Sequence, residues 1–238
     1  MHLLTEQAAS PKLAKDMRFL SAILYMAPHK LSGVNLCPGA SPGCIKTCLN
    51  TAGRGAFTSV QSARVRKAKL FWEQRGAFLE LLRKDLNRLV KRSERLNKPL
   101  AVRLNGTTDV CWQSSGLLAE FPMVQFYDYT KVYRRLEMLR RRPIANYHLT
   151  FSRSESNDSH CLKALSLGFN VAVVFKHSLP ASYLGHEVIA GDASDMRFLD
   201  PKGVIVGLTA KGLAKRDRSG FVVDRVQDRQ SYLKPVSL

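Results

Sequence analysis

No apolar run approaches the ~18 residues that a membrane-spanning helix needs, so a transmembrane segment is not expected. The opening Met1-His-Leu-Leu-Thr-Glu-Gln lacks the charged-then-apolar layout of a secretory signal. Cysteine is sparse and odd in number, five in 238 residues, which argues against a disulfide framework and for a reducing compartment. Internal repeats, low-complexity tracts and a domain linker are all missing. The expectation is one soluble α/β domain over residues 1–238, located in the cytoplasm.

Negative charge is the other shortage. Nineteen Asp and Glu face 37 Lys and Arg, a formal net charge of +18. Such an excess points to a polyanionic partner, nucleic acid being the commonest, and not to a membrane. It does not tell DNA from RNA, because phosphate contacts supply affinity without reading bases.

Residues 17–26 form an apolar run read as a buried strand. A loop over 27–55 follows, with three prolines and five glycines. Phe71, Phe78, Leu82, Leu86 and Leu89 then recur at helical spacing, so 57–98 reads as helical with one buried face. Its other face is basic, with twelve Lys and Arg against four acids over 57–98. From 100 to 211, short β-favouring runs (100–104, 123–127, 146–151, 170–175, 187–190 and 204–208) alternate with stretches able to cross back as helices (114–120, 130–142 and 157–167). That alternation predicts parallel βα units. The expected fold is an incomplete or irregular parallel (β/α) barrel with a basic helical insertion after its first strand.

Three of the five cysteines fall within twelve residues, Cys37-Pro-Gly-Ala-Ser-Pro-Gly-Cys44-Ile-Lys-Thr-Cys48, while Cys111 and Cys161 stand apart. Three thiolates on one Pro/Gly-rich loop suit a soft metal centre with an open position. Structural zinc usually takes four ligands in Cys/His pairs, and iron–sulfur clusters take thiolates at short irregular spacings. His29 and His160 are the histidines placed to complete a zinc set, though neither has a tight ligand spacing. Thiols simply packed in the core are the plain alternative.

Parallel barrels carry chemistry where the strands end. Just past the expected strands stand Asn105, Thr107, Thr108 and Asp109; Asp128, Tyr129 and Lys131; Ser152, Arg153 and Glu155; Lys176 and His177; Asp192 and Asp195; Thr209 and Lys211. Many such residues only cap the next helix. Of this rim, Asp109, Asp128, Lys131 and Asp192 are the candidate catalytic residues, and Asn105 and Arg153 the candidate cofactor-binding ones. Cys37, Cys44 and Cys48 are the candidate metal ligands. Arg64, Arg66, Lys67, Arg134, Arg135 and Arg141 are the candidate nucleic-acid contacts. His148, inside an expected strand, reads as a base or a satisfied core histidine.

Asn35–Cys48, with Arg103-Leu-Asn-Gly-Thr-Thr-Asp109 and Phe126-Tyr-Asp-Tyr-Thr-Lys131, resembles the bacteriophage "gene product 88" domain family, over roughly 31–209. That resemblance implies a phage setting, hence host cytoplasm, and assigns no reaction. A cysteine triplet after the first strand of a partial (β/α) barrel is also similar to the layout of radical S-adenosylmethionine enzymes. There, three cysteines hold a [4Fe–4S] cluster and S-adenosylmethionine occupies the unique iron. This chain has Cys-x6-Cys-x3-Cys in place of their usual Cys-x3-Cys-x2-Cys. The resemblance implies an iron–sulfur enzyme, and the basic charge adds the expectation of a nucleic acid or nucleotide-derived substrate. The alternatives are a zinc protein that binds nucleic acid or processes a base or phosphodiester with Asp109 and Asp128, and a non-enzymatic DNA- or RNA-binding protein.

Overall fold

The computed structural model of the chain describes residues 2–6 and 17–224. Its elements run β1 (Leu4–Glu6), β2 (Leu20–Leu24), α1 (Pro42–Lys46), α2 (Thr58–Glu73), α3 (Arg75–Leu96), β3 (Leu100–Arg103), α4 (Leu117–Glu120), β4 (Val124–Thr130), α5 (Tyr133–Arg141), β5 (Tyr147–Ser152), α6 (Asp158–Ser166), β6 (Val171–Phe175), β7 (Ser182–Tyr183), β8 (His186–Ala190) and β9 (Ile205–Thr209). The nine strands form one sheet in the order β1-β2-β3-β4-β5-β6-β9-β8-β7. Every neighbouring pair from β2 to β8 is parallel, and the outermost pairs, β1 with β2 and β7 with β8, are antiparallel. The end strands do not pair with each other, so the sheet is open.

Side chains alternate across a strand, and here the two faces meet different layers. Leu20, Ala22 and Leu24 of β2, Leu100 and Val102 of β3, and Phe126 of β4 join Phe71, Phe78, Leu82, Leu86 and Leu89 of α2 and α3 in the main core. Burying each of those helical Leu or Phe side chains stabilises the fold by roughly 1.5–3 kcal/mol. The intervening residues Ile23, Ala101 and Tyr127 belong to a second cluster, completed by Met196 with Phe19, Tyr25 and Phe198.

Connectivity explains why the second face is covered at all. The steps from β2 through β6 all move one way along the sheet, whereas β8 to β9 steps back. Crossovers of one hand that run in opposite directions lie on opposite faces. The 191–204 connection therefore brings Met196 and Phe198 against the face that the helices leave bare.

Residues 57–98 are not an insertion. They supply α2 and α3, the crossover from β2 to β3, whose apolar face is part of the main core. Part of the basic face is spent on β1. Arg88 and Arg92 pair with Glu6, and Lys67 donates to the Leu3 carbonyl at 2.6 Å. Asp85 accepts from the Leu3 and Leu4 amides at 2.6 and 3.0 Å. Asn97 ends α3 in the left-handed region, φ 48°, where Asn is tolerated. Among the described residues, no helix is long and apolar enough to cross a membrane.

Candidate functional site

The carboxyl ends of the parallel strands open into a cavity of about 390 Å³. Six of the seven parallel strands contribute at their ends: the cysteine loop after β2, Asn105 to Asp109 after β3, Lys131 after β4, Arg153 after β5, Asp192 after β8, and Thr209 with Lys211 at the end of β9; Lys176 and His177 after β6 pair with Asp224 instead. Crevices at this edge are where open parallel sheets bind ligands.

Cys37, Cys44 and Cys48 all line that cavity. Ser41 caps α1, accepting from the Cys44 amide at 3.2 Å, with Pro42 in the first turn where its missing N–H costs nothing. The Glu155 carboxylate ties the cap to the loop after β5, accepting from Ser41 Oγ at 2.6 Å and from the Gly43 amide at 2.7 Å. Those donors hold Glu155 below the ordinary glutamate range despite partial burial. Gly43 is needed there, since a Cβ would sit 2.3 Å from Ser219 Oγ and 2.7 Å from Phe221 Cβ. Arg64 fixes the far end of the loop, donating to the Asn50 side chain at 2.6 Å and lying over the Tyr25 ring at 4.9 Å.

Cys37 Sγ accepts from the His29 amide at 3.3 Å and donates to the Thr107 carbonyl at 3.6 Å. Burial pushes its thiol up to about 12 and raises that of Cys48. Cys44 and Cys48 both raise Cys37 further, so the three sulfurs share one electrostatic environment. Among the described residues, however, no three His, Cys, Asp or Glu side chains are gathered closely enough to hold a metal ion. His29 lines the cavity; His160 does not, being stacked on Tyr133 at 4.8 Å.

The remaining candidates divide. Asn105, Asp109, Lys131, Arg153 and Asp192 line the cavity. Asp109 is buried, accepting from the Lys131 amide at 2.9 Å and paired with Arg135. Asp192 accepts from Lys211 Nζ at 2.5 Å and the Thr209 amide at 2.8 Å. Arg153 donates to Asp158 and to the Gly220 and Phe221 carbonyls. Asp128 lies outside the cavity. Strand β4 continues to Thr130 and not, as expected, only to residue 127, so alternation turns Asp128 to the face of Phe126. There it accepts from the Asn105 amide at 2.6 Å, from Asn105 Nδ2 at 3.2 Å and from Tyr147 Oη at 3.0 Å.

Of the nucleic-acid candidates, Arg66, Arg134 and Arg141 are exposed. Arg64 and Arg135 are buried and committed to Asn50 and Asp109, and Lys67 to Leu3. The sequence reading missed Arg103, an inward-facing strand residue that lines the cavity, and Lys46 at its mouth. The alternation in Leu-Ala-Val-Arg was the available signal for Arg103.

One buried group and one partly buried group give opposing pH dependences. Burial pushes the Asp128 carboxyl up to about 7, outweighing its three donors, so it costs stability as pH rises from about 4 to 7. Burial, helped by Arg197 and Lys202, pulls His148 down to about 4 from 6.5. Its imidazole is neutral in the fold while the unfolded chain takes up a proton, so stability is lost as pH falls from 6.5 to 4. A His148→Gln chain is expected to gain on the wild type by about 3 kcal/mol over that fall. Thermal melts at pH 4 and 7 check this; a constant offset between the two chains contradicts it.

The profile of the Gene product 88 family matches residues 2–225, and the chain belongs to that family. Neither a curated protein nor a solved structure matches it.

Proposed function

We propose that this chain is a phage-encoded iron–sulfur protein of the radical S-adenosylmethionine type, acting on a nucleic acid or a nucleotide-derived substrate. One observation carries the reading: Cys37, Cys44 and Cys48, on the loop after the first parallel strand, open onto one cavity at the strand ends. The donor set is three soft thiols and a free position, which suits a thiolate-held cluster better than a closed zinc site. Loading has to draw the sulfurs together and release the protons that burial keeps on Cys37 and Cys48. When bound, the cluster with S-adenosylmethionine would supply radical chemistry that no side chain provides.

The chain's own residues hold and orient. Glu155 fixes the turn that presents Cys44, while the Asp109–Arg135 pair fixes the loop between Asn105 and Lys131. Asn105, Lys131, Arg153 and Asp192 line the space where substrate would lie. Exposed Arg66, Arg134 and Arg141 supply sequence-independent phosphate contacts. Asp109 and Asp128 do not make a carboxylate pair open to substrate, which counts against hydrolysis by paired acids.

Anaerobic reconstitution with iron and sulfide tests the reading. A brown protein with about four irons per chain is the expected product. Colourless, iron-free material overturns it, and zinc in place of iron favours the zinc alternative.

A further inference from the structure

We propose that the outer face of α2 is a docking surface for a single-stranded nucleic acid, with Trp72 stacking on a base and Arg66 and Lys69 holding the flanking phosphates. The inference rests on the reading that the substrate is a nucleic acid and is independent of what the cysteines hold.

Helix α2 lies along the edge of the sheet at which the cavity opens, and three contacts along its length place it there. The Arg64 carbonyl accepts from the Ala27 amide at 3.1 Å, in the loop after β2. One turn on, Lys67 donates to the Leu3 carbonyl, and Leu3 adjoins the residue that pairs with Leu24, the last of β2. A further turn on, Phe71 packs edge-on against Trp112 with ring centroids 5.6 Å apart, and Trp112 stands three residues past the cavity-lining Asp109. Those inward contacts leave Ser62, Arg66, Lys69, Trp72 and Glu73 on the outer face, all exposed.

Arg66, Lys69 and Trp72 follow one another at three-residue steps, so each neighbours the next on the helix surface. Neither cation makes an ion pair among the described residues, and Glu73 is the only acid in the helix. Trp72 is 62% exposed, forgoing the burial that makes an indole stabilising. A single exposed apolar side chain is ordinary. What singles out Trp72 is the row of uncommitted cations leading up to it. An open π-face beside phosphate-binding charge is the pairing that sequence-tolerant single-strand binders use. A duplex offers no free base face to the indole, and the net charge of +18 opposes a second copy of this chain. Phe57, 60% exposed, stands at the other end of α2 next to the cysteine loop, about 22 Å from Trp72 along the helix. That length spans roughly six stacked nucleotides. The cavity at the same edge, of about 390 Å³, admits one nucleotide unit turned out of such a strand.

The test titrates the full chain with a single-stranded thymidine dodecamer, a uridine dodecamer and a duplex of twelve base pairs. Affinity is read from the anisotropy of a labelled strand, and stacking from tryptophan emission. Trp72 and Trp112 are the only tryptophans and Trp112 is fully buried, so quenching by a stacked base reports Trp72. A single strand is expected to quench that emission and to bind at least ~5-fold more tightly than the duplex, the tighter of the two identifying DNA or RNA. Trp72→Ala should weaken binding ~5–100-fold, while Trp72→Phe, which keeps a ring, should stay within ~3-fold of the wild type. Replacing Arg66 and Lys69 together by Gln should lower the slope of log affinity against log salt by about 1.4. Met123→Ala, equally exposed but just before β4 at the opposite edge, should change nothing. Unchanged affinity in Trp72→Ala, binding without quenching, or a duplex bound as tightly overturns the proposal and leaves the nucleic-acid reading standing. No binding of any probe overturns both, and a dimer that Trp72→Ala dissolves makes the face a self-association surface instead. Iron and sulfide content is measured separately, so failure of the cluster reading is distinguishable from failure of this one.

Discussion

A Cys44→Ser chain, reconstituted without oxygen, is expected to lose iron and sulfide to background levels while unfolding within about 0.5 kcal/mol of the wild type. Cys44 is the informative thiol of the three. It is half-buried, and its sulfur makes no hydrogen bond among the described residues; only its amide is engaged, by Ser41. Removing the sulfur therefore removes a ligand without breaking a structural contact. Cys37 is a poorer probe, because its sulfur joins His29 to Thr107 and a shorter oxygen cannot span both distances. Elemental analysis and the visible spectrum read the loading, and a thermal melt reads the fold. Wild-type iron content in Cys44→Ser would sink the cluster reading. A lowered melting temperature, with no iron in either chain, is what thiols packed merely as core residues would give.

The second large effect is on stability. Asp109→Ala is expected to cost about 3–5 kcal/mol, because it strands the Arg135 guanidinium, 6% exposed, in the interior. At about 2–4 °C per kcal/mol for a chain of this size, the melting temperature should fall by roughly 10 °C. Arg135→Met alone should cost a similar amount by leaving Asp109 uncompensated. The double variant should lose less than the sum of the two, since neither charge is then orphaned. Additive losses would show that the pair is not coupled. A folded, fully stable Arg135→Met chain with weakened nucleic-acid binding would instead return Arg135 to the phosphate-contacting role expected from sequence.

The parallel strands were legible because each is a short apolar run flanked by polar turns, and each of the seven runs matches a strand to within three residues at either end. β1 and β7 were not, as three and two residues carry no period to read. Charge runs misled for a different reason. Arg64 and Arg135 sit among exposed cations in sequence, yet each folds inward onto an acceptor 14 or 26 residues away. No local pattern encodes such a partner. Asp128 failed by parity: ending the strand at 127 turns a buried anchor into a rim residue. Arg103 was hidden for a related reason. Alternation says that it opposes Val102, but which face has room for a ligand depends on the backward step from β8 to β9.

The tiny antiparallel strands at either border of the sheet have a use that their size makes easy to overlook. A parallel array of seven strands would otherwise present long rows of unpaired amides and carbonyls, on which further chains can zip and polymerise. β1 and β7 occupy those rows and present in their place borders of only three and two residues. The architecture thus guards itself at both borders against fibril-like self-association.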